Sequence, residues 1–110
     1  MTKDNSVYLR HILESLNRIL DYTSGMKEQD FLGDKLVQDA VIRHFEIIGE
    51  ATKNVSEEFK DRHPAVPWKK MAGMRDKLIH DYIGVDLWAV WAAVQSDIPA
   101  LKEKLEKILK

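Results

Sequence analysis

The chain has 110 residues, 45% hydrophobic and 32% charged, which fits one domain over residues 1–110 and excludes both a disordered and a membrane-embedded composition. Cysteine is absent, so disulfides, thiolate zinc sites, iron–sulfur clusters and cysteine nucleophiles are excluded together. The net charge of −1 names no partner, no apolar run is longer than 87–94, and the N-terminus lacks a basic-then-apolar leader, so a cytoplasmic protein without membrane contact is expected.

Leu9, Ile12, Leu13, Leu16, Ile19 and Leu20 recur at helical spacing and predict a first helix over 6–23. Tyr8, His11, Ser15, Arg18 and Tyr22 line its second, more polar face. Gly25 stops it, and 26–33 reads as a connector with one short turn around Asp30 and Phe31. The second helix, over 34–53, is apolar across a wide arc. Val37, Val41, His44, Ile48, Ala51 and Val55 form a spine, with Leu36, Ala40 and Ile47 beside it, so this helix belongs at the centre of a bundle. His44 is expected to be a hydrogen-bonded core imidazole. Asp39, Arg43, Glu46 and Glu50 make one polar row, spaced by four, three and four, which reads first as a row of ion pairs.

Ser56, followed by Glu57 and Glu58, marks the capped start of a short third helix ending near His63. Pro64 and Pro67 predict a loop from which Trp68 and Met71 plug the core. Residues 74–82 have helical composition, and Gly84 closes them. Asp86 is placed to cap the last helix, where Leu87, Trp91, Val94, Ile98, Leu101, Leu105 and Ile108 repeat by four and three straight through Pro99. One long kinked helix is the reading. Trp88 and Trp91 read as core or subunit interface. The fold class is all-α, an antiparallel bundle of four to five helices.

Residues 60–80 carry six basic side chains against Asp61 and Asp76, a local charge of +4 that leaves −5 elsewhere. A basic centre in an acidic body suits an anion, although a solvated lysine-rich loop fits the count as well. None of the four histidines has Glu three positions before it, as a di-iron bundle needs, and His-Glu-x-x-His is absent. There is no glycine-rich phosphate loop and no Gly-x-Ser-x-Gly elbow. No metal or other cofactor is expected.

The stretch 74–82 remains. Arg75 and His80 are five apart, so on a regular helix their side chains diverge by about 140°. They converge only if the helix ends near His80 or if a second copy supplies the complementary pair. Tyr82 is seven after Arg75 and returns to its face. Asp76 is four before His80, the spacing that holds an imidazole N–H and favours its charged form. On spacing alone, a helix end with surface ion pairs explains these residues equally well.

Arg75, His80 and Tyr82 match the Arg-x4-His-x-Tyr motif, and the stretch resembles HEPN-domain toxins, in particular the HepT-like group paired with minimal nucleotidyltransferases. The likeness extends to Tyr8-Leu9-x-x-Ile12-Leu13 and to Arg43-x-x-Glu46-Ile47-Ile48-Gly49-Glu50-Ala51. It continues through Pro67-Trp68, Gly73-Met74-Arg75, Val85-Asp86 and Val90-Trp91, and so covers nearly the whole chain. The resemblance implies a HEPN-like bundle and a metal-independent endoribonuclease, the toxin of a toxin–antitoxin pair. It implies Arg75 and His80 as catalytic residues in a composite site of a homodimer, with RNA as substrate. It also implies Tyr82 as the residue that a nucleotidyltransferase antitoxin modifies with AMP. Arg43, Glu46 and Glu50 are candidate supporting residues, as is Asp76, which stands where many relatives have Asn. An added carboxylate there either weakens RNA binding or orients His80. The competing reading is a non-catalytic helical module that binds a nucleotide or partner, or an inactive subunit of a nucleotidyltransferase complex. Asp76 is the feature that points that way.

Overall fold

A computed structural model describes the backbone of residues 4–80 and 86–109 and the side chains of residues 4–74 and 86–109. Among these residues six helices follow one another: α1 (Asn5–Thr23), α2 (Glu28–Leu32), α3 (Lys35–Asn54), α4 (Glu57–Arg62), α5 (Trp68–His80) and α6 (Leu87–Leu109). No strand occurs among the described residues. The fold is all-α and HEPN-like, with the long C-terminal helix that the repeat through Pro99 predicts. The count exceeds four to five because the short turn around Asp30 and Phe31 closes into the five-residue α2.

The starts of α1, α3, α4 and α6 each have a side chain that satisfies an otherwise orphaned amide. Asp4 accepts from the Ser6 N–H at 2.9 Å, Asp34 from Val37 at 3.1 Å, Ser56 from Phe59 at 3.2 Å and Asp86 from Ala89 at 3.1 Å. The start of α5 corrects the sequence reading. Trp68 and Met71 do plug the core, at 8% and 0% exposure, but from the first turn of a helix rather than from a loop. Pro67 immediately precedes that turn, where a missing amide proton costs nothing, and its carbonyl accepts from the Met71 N–H at 3.1 Å. The indole N–H of Trp68 donates to the His63 carbonyl at 3.0 Å, so the loop and the helix are tied together.

α3 packs against α1 and against α5, while α1 also packs against α6. Phe31 stacks on Trp91 at 5.2 Å and joins α2 to α6. Lys70 reaches Asp97 at 3.0 Å and joins α5 to α6.

The central position of α3 is as expected, and Val41, Ile48, Ala51 and Val55 of the expected spine are buried. Gln38, Phe45, Gly49 and Thr52 are buried as well, which widens the stripe and turns its centre by about 50°. Two polar residues make this possible by bringing their own partners. Gln38 donates to the carbonyls of Phe31 and Leu32 at 2.9 and 3.0 Å, and the Thr52 hydroxyl donates to the Ile48 carbonyl at 2.6 Å. Leu36, expected beside the spine, is 81% exposed. His44 sits at the edge of the core, half-buried, and not on its central line. Trp91 is a core residue, whereas Trp88 is 60% exposed and belongs to no core of this chain. No described helix is long and apolar enough to cross a membrane.

Candidate active site

Arg75 and His80 sit on α5. Trp68, Met71 and Met74 anchor the first half of this helix in the core, and Arg75 follows the last of them directly. The backbone is helical through His80, so Arg75, Asp76 and His80 occupy the final two turns described. The divergence of about 140° between Arg75 and His80 therefore applies to this backbone. The side chains of Arg75, Asp76 and His80, and the whole of Tyr82, lie outside the described residues.

The other candidates form a second cluster. Arg43 lies 3.8 Å from Glu46, so this part of the row is ion-paired, with Arg43 largely exposed. Arg43, Glu46 and Glu50 line a groove of about 440 Å³ between α1 and α3, with Ile47 and Ala51 beside them and Tyr8 and His11 opposite. The sequence reading places Tyr8 and His11 on a polar face but does not pair them with the α3 row. The available signal was that two long helices each carry one polar stripe at helical spacing, and packing between their apolar faces brings stripe edges together.

Further along the same helix pair, His44 Nδ1 lies 3.0 Å from the Ser15 hydroxyl, and the imidazole ring lies 5.8 Å from that of Tyr22. Burial lowers the pKa of His44 below its ordinary value, and the guanidinium groups of Arg18 and Arg43 push the same way against Glu14. The neutral imidazole is favoured. Ser15 is only 3% exposed, so this pair ties α1 to α3 and offers no accessible nucleophile. His63 is equally structural, with its ring 4.5 Å from that of Phe59 at the end of α4.

The motif and the groove thus flank α3 through its two neighbours, α5 and α1. Comparison with known proteins bears on what such an arrangement serves. The family described as Ribonuclease HepT-like matches residues 12–108. A protein of Thermococcus cleftensis named "Probable ribonuclease HepT" is 50% identical over 110 residues, covering both chains completely. The "Gamma-glutamylcyclotransferase and putative RNase MJ0434" of Methanocaldococcus jannaschii is 52% identical over 109 residues, 99% of this chain. The chain spans about half, 49%, of that longer protein. No solved structure matches. With a match over most of its length and relatives at this identity, the chain belongs to the HepT-like ribonuclease family.

Proposed function

We propose that this protein is a metal-independent endoribonuclease in which Arg75 and His80 act from two copies of the chain. The observation that carries the reading is the Arg75-x4-His80-x-Tyr82 motif, with Arg75 and His80 in the last described turns of α5, within the stretch that matches the ribonuclease family. RNA carries its own nucleophile. One imidazole takes the proton of the 2′-hydroxyl as that oxygen attacks the adjacent phosphorus. The bond from phosphorus to the 5′-oxygen breaks, and a second imidazole protonates the departing oxygen. A 2′,3′-cyclic phosphate remains. The planar guanidinium of Arg75 binds the non-bridging oxygens as charge grows on them. One chain has one motif histidine, and one regular helix aims Arg75 and His80 apart. Two motifs around a twofold axis supply two of each and remove the angular conflict. Asp76, one turn before His80, holds the imidazole in a productive orientation.

The same reading makes the protein the toxin of a toxin–antitoxin pair. A minimal nucleotidyltransferase transfers AMP from a nucleoside triphosphate to the Tyr82 hydroxyl, with release of pyrophosphate. The attached phosphate then competes with the substrate phosphate for Arg75 at high effective concentration and repels incoming RNA.

Incubation of a labelled RNA with the purified protein in excess EDTA tests the chemistry. The strand should shorten and end in a 2′,3′-cyclic phosphate or its hydrolysed form. Cleavage that stops in EDTA and returns with magnesium overturns the metal-independent mechanism. A mobility shift without shortening points to the non-catalytic binding module. Intact mass after coexpression with the nucleotidyltransferase tests the switch: AMP adducts should appear on the unaltered protein and be absent from Tyr82→Phe. Adducts that persist on Tyr82→Phe, or that map to Tyr8 or Tyr22, remove Tyr82 from that role.

A further inference from the structure

The rotation of the buried stripe of α3 leaves a second stripe without a cover. Leu36, Ala40, Arg43, Ile47, Glu50 and Asn54 are spaced by four, three, four, three and four, the spacing of a seam between two packed helices. None of the six belongs to the buried core. Leu36 stands 81% exposed at one end, Arg43 and Glu50 are exposed, and Ala40 and Ile47 are half-covered. A stripe that is apolar at three of six seam positions and uses none of them in the core of its own chain is suited to a helix from outside.

The charges on this stripe say which helix. Arg43 and Glu50 are seven residues apart, two turns of the same face and about 10 Å along the axis, too far for contact within one chain. A twofold axis beside Ile47 turns a second α3 antiparallel to the first. Arg43 of each copy then meets Glu50 of the other, while the two Ile47 side chains face each other across the axis. The stripe is complementary to itself under that rotation, as an isologous interface requires. Among the described residues Arg43 has a long, exposed contact with Glu46 at 3.8 Å, and its five donors leave capacity for a second carboxylate.

We infer that α3 is the dimerisation seam of this protein, with a second copy of the chain packed antiparallel on Ala40, Arg43, Ile47 and Glu50. The inference deepens the composite-site reading above and rests on it for the existence of a dimer, but the register is carried by the stripe. It places the groove between α1 and α3 against the partner subunit. Because α5 packs on the same α3, both copies of α5 are fixed to one seam.

Charge reversal tests the register directly. Arg43→Glu sets two Glu–Glu encounters across the axis and Glu50→Arg sets two Arg–Arg encounters, so each should weaken the dimer at least tenfold by sedimentation equilibrium. The double variant Arg43→Glu/Glu50→Arg should return to within about threefold of the unaltered protein, and neither residue can rescue the other within one chain at that separation. Mixing the two single variants should form a heterodimer, since every encounter is then between opposite charges. Circular dichroism of each variant confirms that the helices are intact, and Ile47→Lys provides a second disruption that leaves both charged partners in place.

A dimer unaffected by all these changes, or a protein that stays monomeric at tens of micromolar, overturns the seam. RNA cleavage assayed on the same samples separates the two readings. A swap-insensitive dimer that still cuts RNA places the seam elsewhere and keeps the nuclease. A swap-sensitive dimer that cuts no RNA keeps the seam and removes the nuclease.

Discussion

Helices α3 and α5 pack against each other, yet the sequence secures them in different ways. α3 is anchored along its length, from Gln38 to Thr52, and its polar core residues bring their own hydrogen bonds. The described buried residues of α5 are Trp68, Met71 and Met74, all within its first seven positions. Arg75 comes next. On α3 the buried stripe and the exposed Arg43 and Glu50 lie on different faces. Changes in the opening turns of α5 should cost a great deal.

The largest expected effect tests the anchored half. Met71 is fully buried, so Met71→Ala leaves a cavity and should destabilise the protein by about 2–5 kcal/mol, read from urea denaturation. A loss below about 1 kcal/mol would show that α5 is not held there. The next effect tests the other half. Arg75→Ala and His80→Ala should each slow RNA cleavage at least about a hundredfold, a typical cost for an acid–base group or an anion-stabilising donor. Their urea midpoints should stay close to that of the unaltered protein. Unfolding in step with the lost activity would erase the distinction between the two halves of α5.

The sequence foretold α1 to within one residue, the caps Ser56 and Asp86, and the stripe of α6 through Pro99. In each case apolar spacing and a capping residue agree. It misjudged places where a residue type points one way and a specific partner another. Gln38 and Thr52 score as polar, yet their hydrogen bonds let them enter the core, and this turned the expected arc of α3 toward Phe45. Leu36 scores as core and stands exposed, because apolar character alone does not distinguish this chain's interior from a contact with another chain. Pro67 reads as loop, although a proline at the entrance of a helix is compatible with the helix that follows. Of the candidate site, the motif and the α3 row were visible as patterns. The approach of Tyr8 and His11 to that row was not, because it depends on how α1 and α3 pack.

A smaller effect sharpens the account of α3 itself. The Asp34 carboxylate accepts from the Val37 N–H at 3.1 Å, and this residue also starts the helix on which α1 and α5 converge. Asp34→Ala should cost about 1 kcal/mol and Asp34→Asn only a fraction of that, since the amide oxygen can still accept. Equal losses in the two variants would mean that charge at the helix start matters more than the hydrogen bond.

The smallest expected effect is a pH dependence, and it separates the two stripes of α3 by their electrostatics. His44 lies between them, half-buried, with Nδ1 3.0 Å from the Ser15 hydroxyl. Burial lowers its pKa in the folded protein, Arg18 and Arg43 add to the shift, and Glu14 opposes it, whereas the unfolded chain titrates near the ordinary value of 6.5. Between the folded value and 6.5 the unfolded chain binds more protons, so stability rises with pH across that window. The contribution is complete above 6.5 and declines as the pH falls toward the folded value. Partial exposure of the ring limits its size, since solvent screens the charges that act on it. His44→Gln keeps an amide that can bond Ser15 and removes the titration. The difference in Tm between the unaltered protein and His44→Gln, measured from pH 7.5 down to 5.5, should shift against the unaltered protein as the pH drops. A constant difference over that range would mean that the imidazole is as free to protonate in the fold as outside it. A shift in the opposite direction would place the dominant influence with Glu14, making the gap between α1 and α3 a site for cations.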